Sequence, residues 1–149
     1  MKNDKYYTPT IEEFHVGFEY QLFNGANWQD RTVGMGVWDL KRQILHHLTM
    51  DVPAVRVKHL DRSDIESFGF KYVGKTIDNW YDLEGDFEIP MSNCRNMLIK
   101  MQHDFRTHQG VRIVGYEYNH NSGDSETLYR GSCKNKSELK RILTQIGVI

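Results

Sequence analysis

The clearest structural pattern in this chain lies in the ten residues FHVGFEYQLF, Phe14 to Phe23. Every second residue in this stretch is apolar: Phe14, Val16, Phe18, Tyr20 and Leu22. Because successive side chains of a strand point to opposite faces, this alternation predicts a strand with one buried face. Asn24 to Asn27 predicts a turn, and the stretch from there to Trp38 has no clean period, so we expect a loop or an irregular edge.

Short apolar and aromatic segments recur through the rest of the chain, separated by Gly, Pro and Asn turns. They predict strands over residues 54–60, 70–73, 77–83, 87–89, 97–101, 111–118 and 128–133. Strands this short with polar turns between them favour antiparallel pairing, and a meander is the simplest arrangement of residues 70–89. Residues 111–118 and 128–133 are expected to form a hairpin.

Helix signals occur at three places. Leu40, Ile44, Leu45 and Leu48 have the spacing of a short amphipathic helix that ends before Pro53. Asp61 is placed as the N-cap of a short helix through Phe68, and Gly69 is a natural stop in the left-handed conformation.

The closing helix has the best local signal in the chain. Asn135 is its N-cap, Glu138 is the capping-box partner three residues later, and Gly147 ends it. Its buried stripe consists of Leu139, Ile142, Leu143 and Ile146. Strands and helices together predict an α+β fold: a single domain over residues 1–149, with an antiparallel-rich sheet and two or three short helices, including a C-terminal helix.

Composition limits the classes of function. The chain has 149 residues, of which 39% are hydrophobic and 12% aromatic, which favours a folded core over disorder. Nineteen basic and twenty acidic residues give a net charge of −1, so there is no strong nucleic-acid signal and no membrane partner is expected. Two cysteines without metal or disulfide spacing suit a reducing compartment, and we expect a cytoplasmic protein.

Motifs that carry catalysis or hold a metal are weak in this sequence. The seven histidines lack metal-ligand spacing, and there is no phosphate loop, nucleophile elbow or dinucleotide fingerprint, so we predict no cofactor, metal or catalytic residue. Asp82, Glu84, Asp86 and Glu88 alternate as a solvated hairpin face does. With a nearby lysine the same carboxylates could hold Mg²⁺ as nucleases do, and this alternative remains open.

Aromatic and basic residues recur on or beside the predicted strands. Aromatic rings stack on nucleic-acid bases and arginine forks grip phosphate, so these residues are the candidate ligand site. They are Arg56, Lys58, Trp80, Tyr81, Arg112, Tyr116, Tyr118 and Arg130. The competing interpretation is that half of the aromatic residues belong to the core and the basic residues solvate the opposite face.

Three stretches carry a family resemblance: YYTPTIEEFHVGFEY (residues 6–20), VKHLDRSDIESFGF (57–70) and GSCKNKSELKRIL (131–143). Together these stretches cover about a third of the chain. In these stretches the chain resembles small proteins encoded by tailed phages of Bacteroidota and by prophages in their hosts. The resemblance implies a role inside an infected bacterium, with no activity, ligand or catalytic residue to carry over. Small phage accessory proteins commonly act by binding a host signal or host protein, or by joining the virion.

The functional expectation is therefore a non-enzymatic phage accessory protein of the anti-defence type. It would sequester or block a host component, with an anionic nucleotide signal as the favoured ligand and a host protein as the other partner considered. A metal-dependent nuclease or other phosphodiester-processing enzyme, and a minor virion component, are the alternatives. A homo-oligomer is compatible with each of these.

Overall fold

The computed structural model describes residues 5–35, 44–49, 54–74, 85–90, 97–103, 110–117 and 125–149. Within these ranges the strands form two antiparallel sheets, and helices include one at the C-terminus, which confirms the α+β class. Contacts divide the chain into two compact units, Met1–His59 with Asn135–Ser137, and Leu60–Lys134 with Glu138–Ile149. That residues 1–149 form a single domain stays a prediction.

The first unit contains a four-stranded sheet. Its strands are β1 (Tyr6–Tyr7), β2 (Glu19–Phe23), β3 (Trp28–Thr32) and β4 (Val55–Lys58), in the order β1-β4-β2-β3. A 3₁₀ helix covers Ile11–Glu13, and residues 44–48 form a helix, α1. The buried residues of this unit form one apolar cluster, the first core: Phe14, Phe18, Tyr20, Val33, Ile44, Val55 and Val57.

The predicted strand over Phe14–Phe23 is too long at its start, because β2 begins only at Glu19. Gly17 adopts a left-handed φ of +85°, and the amide of Phe18 donates to the carbonyl of His15 over 2.9 Å. This turn breaks the two-residue period, so Val16, expected inside, is 56% exposed. Phe14 and Phe18 are buried as expected.

The stretch after the turn is also more regular than its sequence indicates. Trp28–Thr32 is a full strand that pairs with β2 from Phe23 opposite Trp28 to Glu19 opposite Thr32. Its residues other than Trp28 are exposed, and this is why no apolar period marks it. In α1, Ile44 is buried and Leu48 packs on the first core, but Leu45 is 49% exposed and does not belong to the buried side.

The second unit is a five-stranded meander. Its strands follow chain order: β5 (Lys71–Gly74), β6 (Gly85–Pro90), β7 (Met97–His103), β8 (Val111–Glu117) and β9 (Ser125–Gly131). The predicted pairing of the last two strands as a hairpin is confirmed. β9 begins three residues before the predicted start and ends before Cys133. The register shifts between Ile113 and Val114, which leaves Leu128 as an extra residue, a bulge, in β9. The predicted strand over 77–83 lies outside the described residues.

Two helices complete this unit, α2 (Arg62–Glu66) and α3 (Lys136–Gln145). The predicted cap is confirmed, because the Asp61 carboxylate accepts the Asp64 amide over 3.0 Å, and Gly69 has the expected left-handed φ of +92°. The Glu138 carboxylate accepts from the Lys134 amide over 2.8 Å, one residue before the N-cap predicted for it.

The buried residues of the second unit form a second core. Leu139, Ile142 and Leu143 of the predicted stripe belong to it, and Ile146 packs against it. From the strands it takes Phe87, Ile99, Met101, Val111 and Ile113. None of the helices in the described part of the chain is both long and apolar enough to cross a bilayer.

Candidate functional site

The candidate ligand residues lie on both sheets. Arg56 and Lys58 belong to β4 of the first sheet, Arg112 and Tyr116 to β8 of the second, and Arg130 to β9. Trp80, Tyr81 and Tyr118 lie outside the described residues. The structure therefore presents two separate sets of basic residues.

Strand alternation determines which face of the first sheet carries Arg56. Val55 and Val57 are buried in the first core, so Arg56 and Lys58 project from the opposite face. The antiparallel register brings further side chains to that face, which we call the aromatic-arginine face. It consists of Tyr6, Gln21, Phe23, Trp28, Asp30, Arg56 and Lys58.

The Arg56 guanidinium lies between two aromatic rings. Its Cζ atom is 3.9 Å from the centroid of the Tyr6 ring and 4.0 Å from that of the Trp28 ring. A cation this close to a ring is attracted by the ring quadrupole, by about 0.5–1 kcal/mol at exposed sites and more when desolvated. Tyr6 and Trp28 reach Arg56 from β1 and β3, the two outermost strands of the sheet.

A chain of hydrogen bonds fixes the rotation of the same guanidinium. Arg56 Nε donates to Gln21 Oε1 over 2.8 Å, and Gln21 Nε2 donates to Asp30 Oδ1 over 2.8 Å. The chain crosses three adjacent strands, because Gln21 is directly opposite both Arg56 and Asp30. The two terminal nitrogens of Arg56 make no hydrogen bond or ion pair with any residue that the structure describes. These nitrogens form the fork that binds carboxylate or phosphate.

Two further side chains extend this group, Phe23 beside Trp28 and Lys5 beside Tyr6. The Phe23 ring is 5.4 Å from the Trp28 ring between centroids, and Phe23 is 38% exposed. Lys5 Nζ lies 5.7 Å from the Tyr6 centroid and adds a second cation. Aromatic surface and positive charge thus meet on one face of the first sheet.

Sequence reasoning found Arg56 and Lys58 but missed Tyr6, Gln21 and Trp28. Trp28 could have been found, because Asn24 to Asn27 separates it from Phe23 as a hairpin turn would. In the structure the Asn24 side chain closes that turn by accepting from the Asn27 amide over 2.8 Å. Tyr6 had no comparable signal, because its pairing opposite Lys58 is remote in the chain.

On the second sheet the arginines lie in one row across the strands. Arg112 is directly opposite Arg130 on β9 and opposite Gln102 on β7, which in turn is opposite Asp86 on β6. Both arginines are exposed. Tyr116 lies two rows along, opposite Ser125.

The carboxylates of the nuclease alternative lie at the β6 side of this face. Lys100 Nζ is 3.5 Å from Asp86 Oδ2 and 3.8 Å from Glu88 Oε1, and Gln102 Nε2 donates to Asp86 Oδ1 over 3.0 Å. Asp86 is only 2% exposed. Its Oδ2 atom forms the ion pair with Lys100 but accepts no hydrogen bond from the described residues, because the distance to Lys100 Nζ is long for a hydrogen bond. The lysine thus offsets the negative charge of both carboxylates.

A metal centre would need more ligands than this pair provides. Asp82 and Glu84 lie outside the described residues, and within the described ranges no three His, Cys, Asp or Glu side chains come together as a metal site. The phosphodiester-processing alternative therefore stays a prediction.

The aromatic-arginine face has the most defined geometry of these candidates, with a fixed guanidinium, a hydrogen-bonded support, two half-buried rings and one exposed ring, Phe23. No protein-family model, curated protein or solved structure matches this chain, so the inference about its function starts from these residues alone.

Proposed function

We propose that this protein binds an anionic ligand on the aromatic-arginine face, without turning it over. The observation that carries the proposal is the Arg56 guanidinium, held between Tyr6 and Trp28 with its Nε bonded to Gln21. Its terminal nitrogens are left for a partner that the described residues do not supply.

Preorganisation is the first reason why this arrangement favours binding. A surface arginine loses rotamer freedom when it grips a ligand, and that loss opposes binding. In this protein the two rings and Gln21 already restrict the side chain. A planar fork held in one orientation matches the paired oxygens of a phosphate or carboxylate.

Charge and aromatic surface indicate the ligand class. Lys5 precedes β1 and Lys58 lies on β4 two residues from Arg56, whereas the Asp30 carboxylate lies on β3, on the far side of the Gln21 amide that bonds to both Arg56 and Asp30. The anionic end of a ligand is therefore favoured at β1 and β4. Phe23 and Trp28 offer aromatic surface beside it for a planar ring, at about 1–3 kcal/mol per stacked base. A nucleotide has both parts.

The biological role follows from this ligand class and from the resemblance to phage proteins. A phage accessory protein with such a face would sequester a host nucleotide signal and so act against host defence. Binding alone is sufficient for this role, because removal of the free signal stops the response.

The test is calorimetry with a panel of mono-, di- and cyclic nucleotides, using the full chain and its Arg56→Ala and Arg56→Lys variants. Arg62→Ala is the matched control, because Arg62 also lies over a tyrosine ring, 4.2 Å from the Tyr72 centroid, but on the second unit. Loss of charge-assisted hydrogen bonds, about 1.5–3 kcal/mol, predicts roughly ten- to hundredfold weaker binding for Arg56→Ala. Arg56→Lys should retain part of the affinity, and Arg62→Ala should bind normally.

Two results would overturn the proposal. One is the absence of heat with every nucleotide in the panel, and the other is equal weakening by Arg56→Ala and Arg62→Ala in variants that melt as folded proteins. Mass spectrometry of the recovered nucleotide tests whether the protein binds its ligand without turning it over. Loss of intact nucleotide that depends on Mg²⁺ would favour the phosphodiester-processing alternative.

A further inference from the structure

We infer that Gln21 and Asp30 are positioning residues for Arg56, which leave its guanidinium a single edge at which the phosphate of a nucleotide can bind. This inference rests on the proposed function, because it concerns the same site. It adds which part of the ligand meets Arg56, namely two oxygens of one phosphate group, and which residues impose that geometry.

The hydrogen bond to Gln21 determines which edge of the guanidinium is open. A guanidinium can bind a pair of oxygens at the edge made by Nε and one terminal nitrogen, or at the edge made by both terminal nitrogens. The Nε edge is closed here, because Nε donates to Gln21 Oε1 over 2.8 Å. The rings of Tyr6 and Trp28, 3.9 and 4.0 Å from Cζ, take up the two faces. A ligand is therefore bound at the terminal edge.

Donor and acceptor types give the supporting chain of hydrogen bonds one direction. An arginine can only donate, and an ionised carboxylate can only accept. Gln21 lies between the two groups, so its amide oxygen faces Arg56 and its Nε2 atom donates to Asp30 Oδ1 over 2.8 Å. Both partners thus select the same orientation of an amide whose oxygen and nitrogen ends are alike in size.

Sheet register holds these three side chains in line. Gln21 on β2 is directly opposite Arg56 on β4 and Asp30 on β3. Directly opposite residues project to the same face, with Cβ atoms about 4.5–5.5 Å apart. Gln21 and Arg56 are half-buried, whereas Asp30 is exposed. Asp30 thus acts on Arg56 through Gln21 and needs no contact with the ligand.

The open edge determines what a ligand has to present. Two parallel N–H groups match two oxygens that are carried by one atom. Among the described residues of the aromatic-arginine face there is no second arginine to bind a third oxygen. A cyclic nucleotide, whose phosphate has two free oxygens, should therefore satisfy Arg56 as fully as a nucleoside monophosphate does.

The first experiment uses NMR to measure how fast the Arg56 Nε–H proton exchanges with water in the ligand-free full chain. The signal is identified by its absence in Arg56→Lys, and Gln21→Leu gives the rate without the acceptor. Asp30→Leu and Asp30→Asn both remove the negative charge, but only the asparagine can still accept from Gln21. Exchange should be roughly two- to tenfold faster in Asp30→Leu than in Asp30→Asn, the factor for one hydrogen bond.

Arg62 is the internal control for the exchange measurement. Its Nε donates to Glu66 Oε1 over 2.7 Å in the second unit, so its exchange rate should be the same in every variant that is folded. Equal Arg56 rates in Asp30→Leu and Asp30→Asn would overturn the role of Asp30. A rate in Gln21→Leu equal to that of the unchanged chain would overturn the role of Gln21.

The second experiment is calorimetry with the monophosphates of adenosine, guanosine, cytidine and uridine and with the cyclic monophosphate of each. Asp30→Leu should bind roughly two- to tenfold more weakly than Asp30→Asn, because it alone loses the hydrogen bond to Gln21. Arg56→Ala should weaken a monophosphate and its cyclic form by the same factor. If the charge of Asp30 were all that mattered, Asp30→Leu and Asp30→Asn would bind equally.

Failure of this inference is distinguishable from failure of the proposed function. Absence of heat with every nucleotide overturns the proposed function, and the exchange rates of the ligand-free protein still decide whether Gln21 and Asp30 position Arg56. Nucleotide binding that is equal in Asp30→Leu and Asp30→Asn overturns the positioning role of Asp30 and leaves the proposed function intact. Weakening by Arg56→Ala for the monophosphate alone would overturn binding through two oxygens.

Discussion

The two sheets of this protein place their arginines in opposite surroundings. On the first sheet, Arg56 lies between the rings of Tyr6 and Trp28 and donates to Gln21, so a single guanidinium has a fixed position. On the second sheet, Arg112 is opposite another arginine, Arg130, and both are exposed.

The difference lies in what restrains each guanidinium. Two rings and Gln21 restrict the Arg56 side chain, so under the proposed function a ligand would take away little of its rotamer freedom. The same contacts should make Arg56 contribute to the stability of the first sheet, and this can be measured before any ligand is identified.

The largest expected effect concerns the inner side of the first sheet, on which the assignment of the aromatic-arginine face depends. Phe18 is 1% exposed, and Phe18→Ala should lower the free energy of unfolding by about 3–5 kcal/mol through lost burial and a cavity. Val16→Ala is the control, and because Val16 is 56% exposed it should cost at most about 0.5 kcal/mol. Denaturant titration measures both. Equal losses would mean that Val16 is buried and that the strand runs without a turn at Gly17.

The next largest expected effect is a difference in the free energy of unfolding between alanine variants of Arg56 in the first unit and Arg62 in the second. Arg56→Ala removes two ring contacts and the hydrogen bond to Gln21, and should lower the free energy of unfolding by about 1–3 kcal/mol. Arg62→Ala removes one ring contact and an exposed ion pair with Glu66, and should cost less, about 0.5–1 kcal/mol. If Arg56→Ala costs no more than Arg62→Ala in the same denaturant titration, the stack does not hold Arg56 in place.

The smallest effect is a dependence on alkaline pH, expected in both units. Burial raises the pKa of Tyr20 above the ordinary 10.0, with Arg31 acting in the opposite direction. Burial, with Glu138 and Cys133, also raises the pKa of Tyr129, against the effect of Arg141. Well below pH 10 both phenols are neutral in the folded and the unfolded chain, so they contribute no pH dependence there.

As the pH approaches and passes 10, the unfolded chain releases these protons before the folded chain does, and the free energy of unfolding falls until the pH exceeds the folded pKa values. Tyr20→Phe and Tyr129→Phe should each flatten this fall in denaturant titrations between about pH 9 and pH 11, near the ordinary tyrosine pKa. A slope that neither variant changes would show that other groups cause the alkaline destabilisation.

Several elements were predictable because their signals are local. Asp61 and Asp64 form a cap within one turn of chain, and Gly69 supplies a left-handed conformation that other residues rarely adopt. The stripe of α3 repeats within three turns. The β8–β9 hairpin needs only pairing between strands that are consecutive in the chain.

The errors arose where a short-range pattern competed with a turn or an exposed edge. Alternation favoured one strand from Phe14 onward, but Gly17 interrupts it with a positive φ. At Trp28–Thr32 the reverse occurred, since an outermost strand with exposed residues needs no apolar period to pair.

The sequence by itself determined the class of fold, the cap of α2 and the residue types from which an anion site could be built. Only the tertiary structure decided which of them meet. Arg56 and Gln21 are 35 residues apart in the chain, and Arg112 and Arg130 face each other across a hairpin with a bulge. The physical reason is that sheet register places side chains next to one another through backbone pairing, and register depends on the whole core and on every turn.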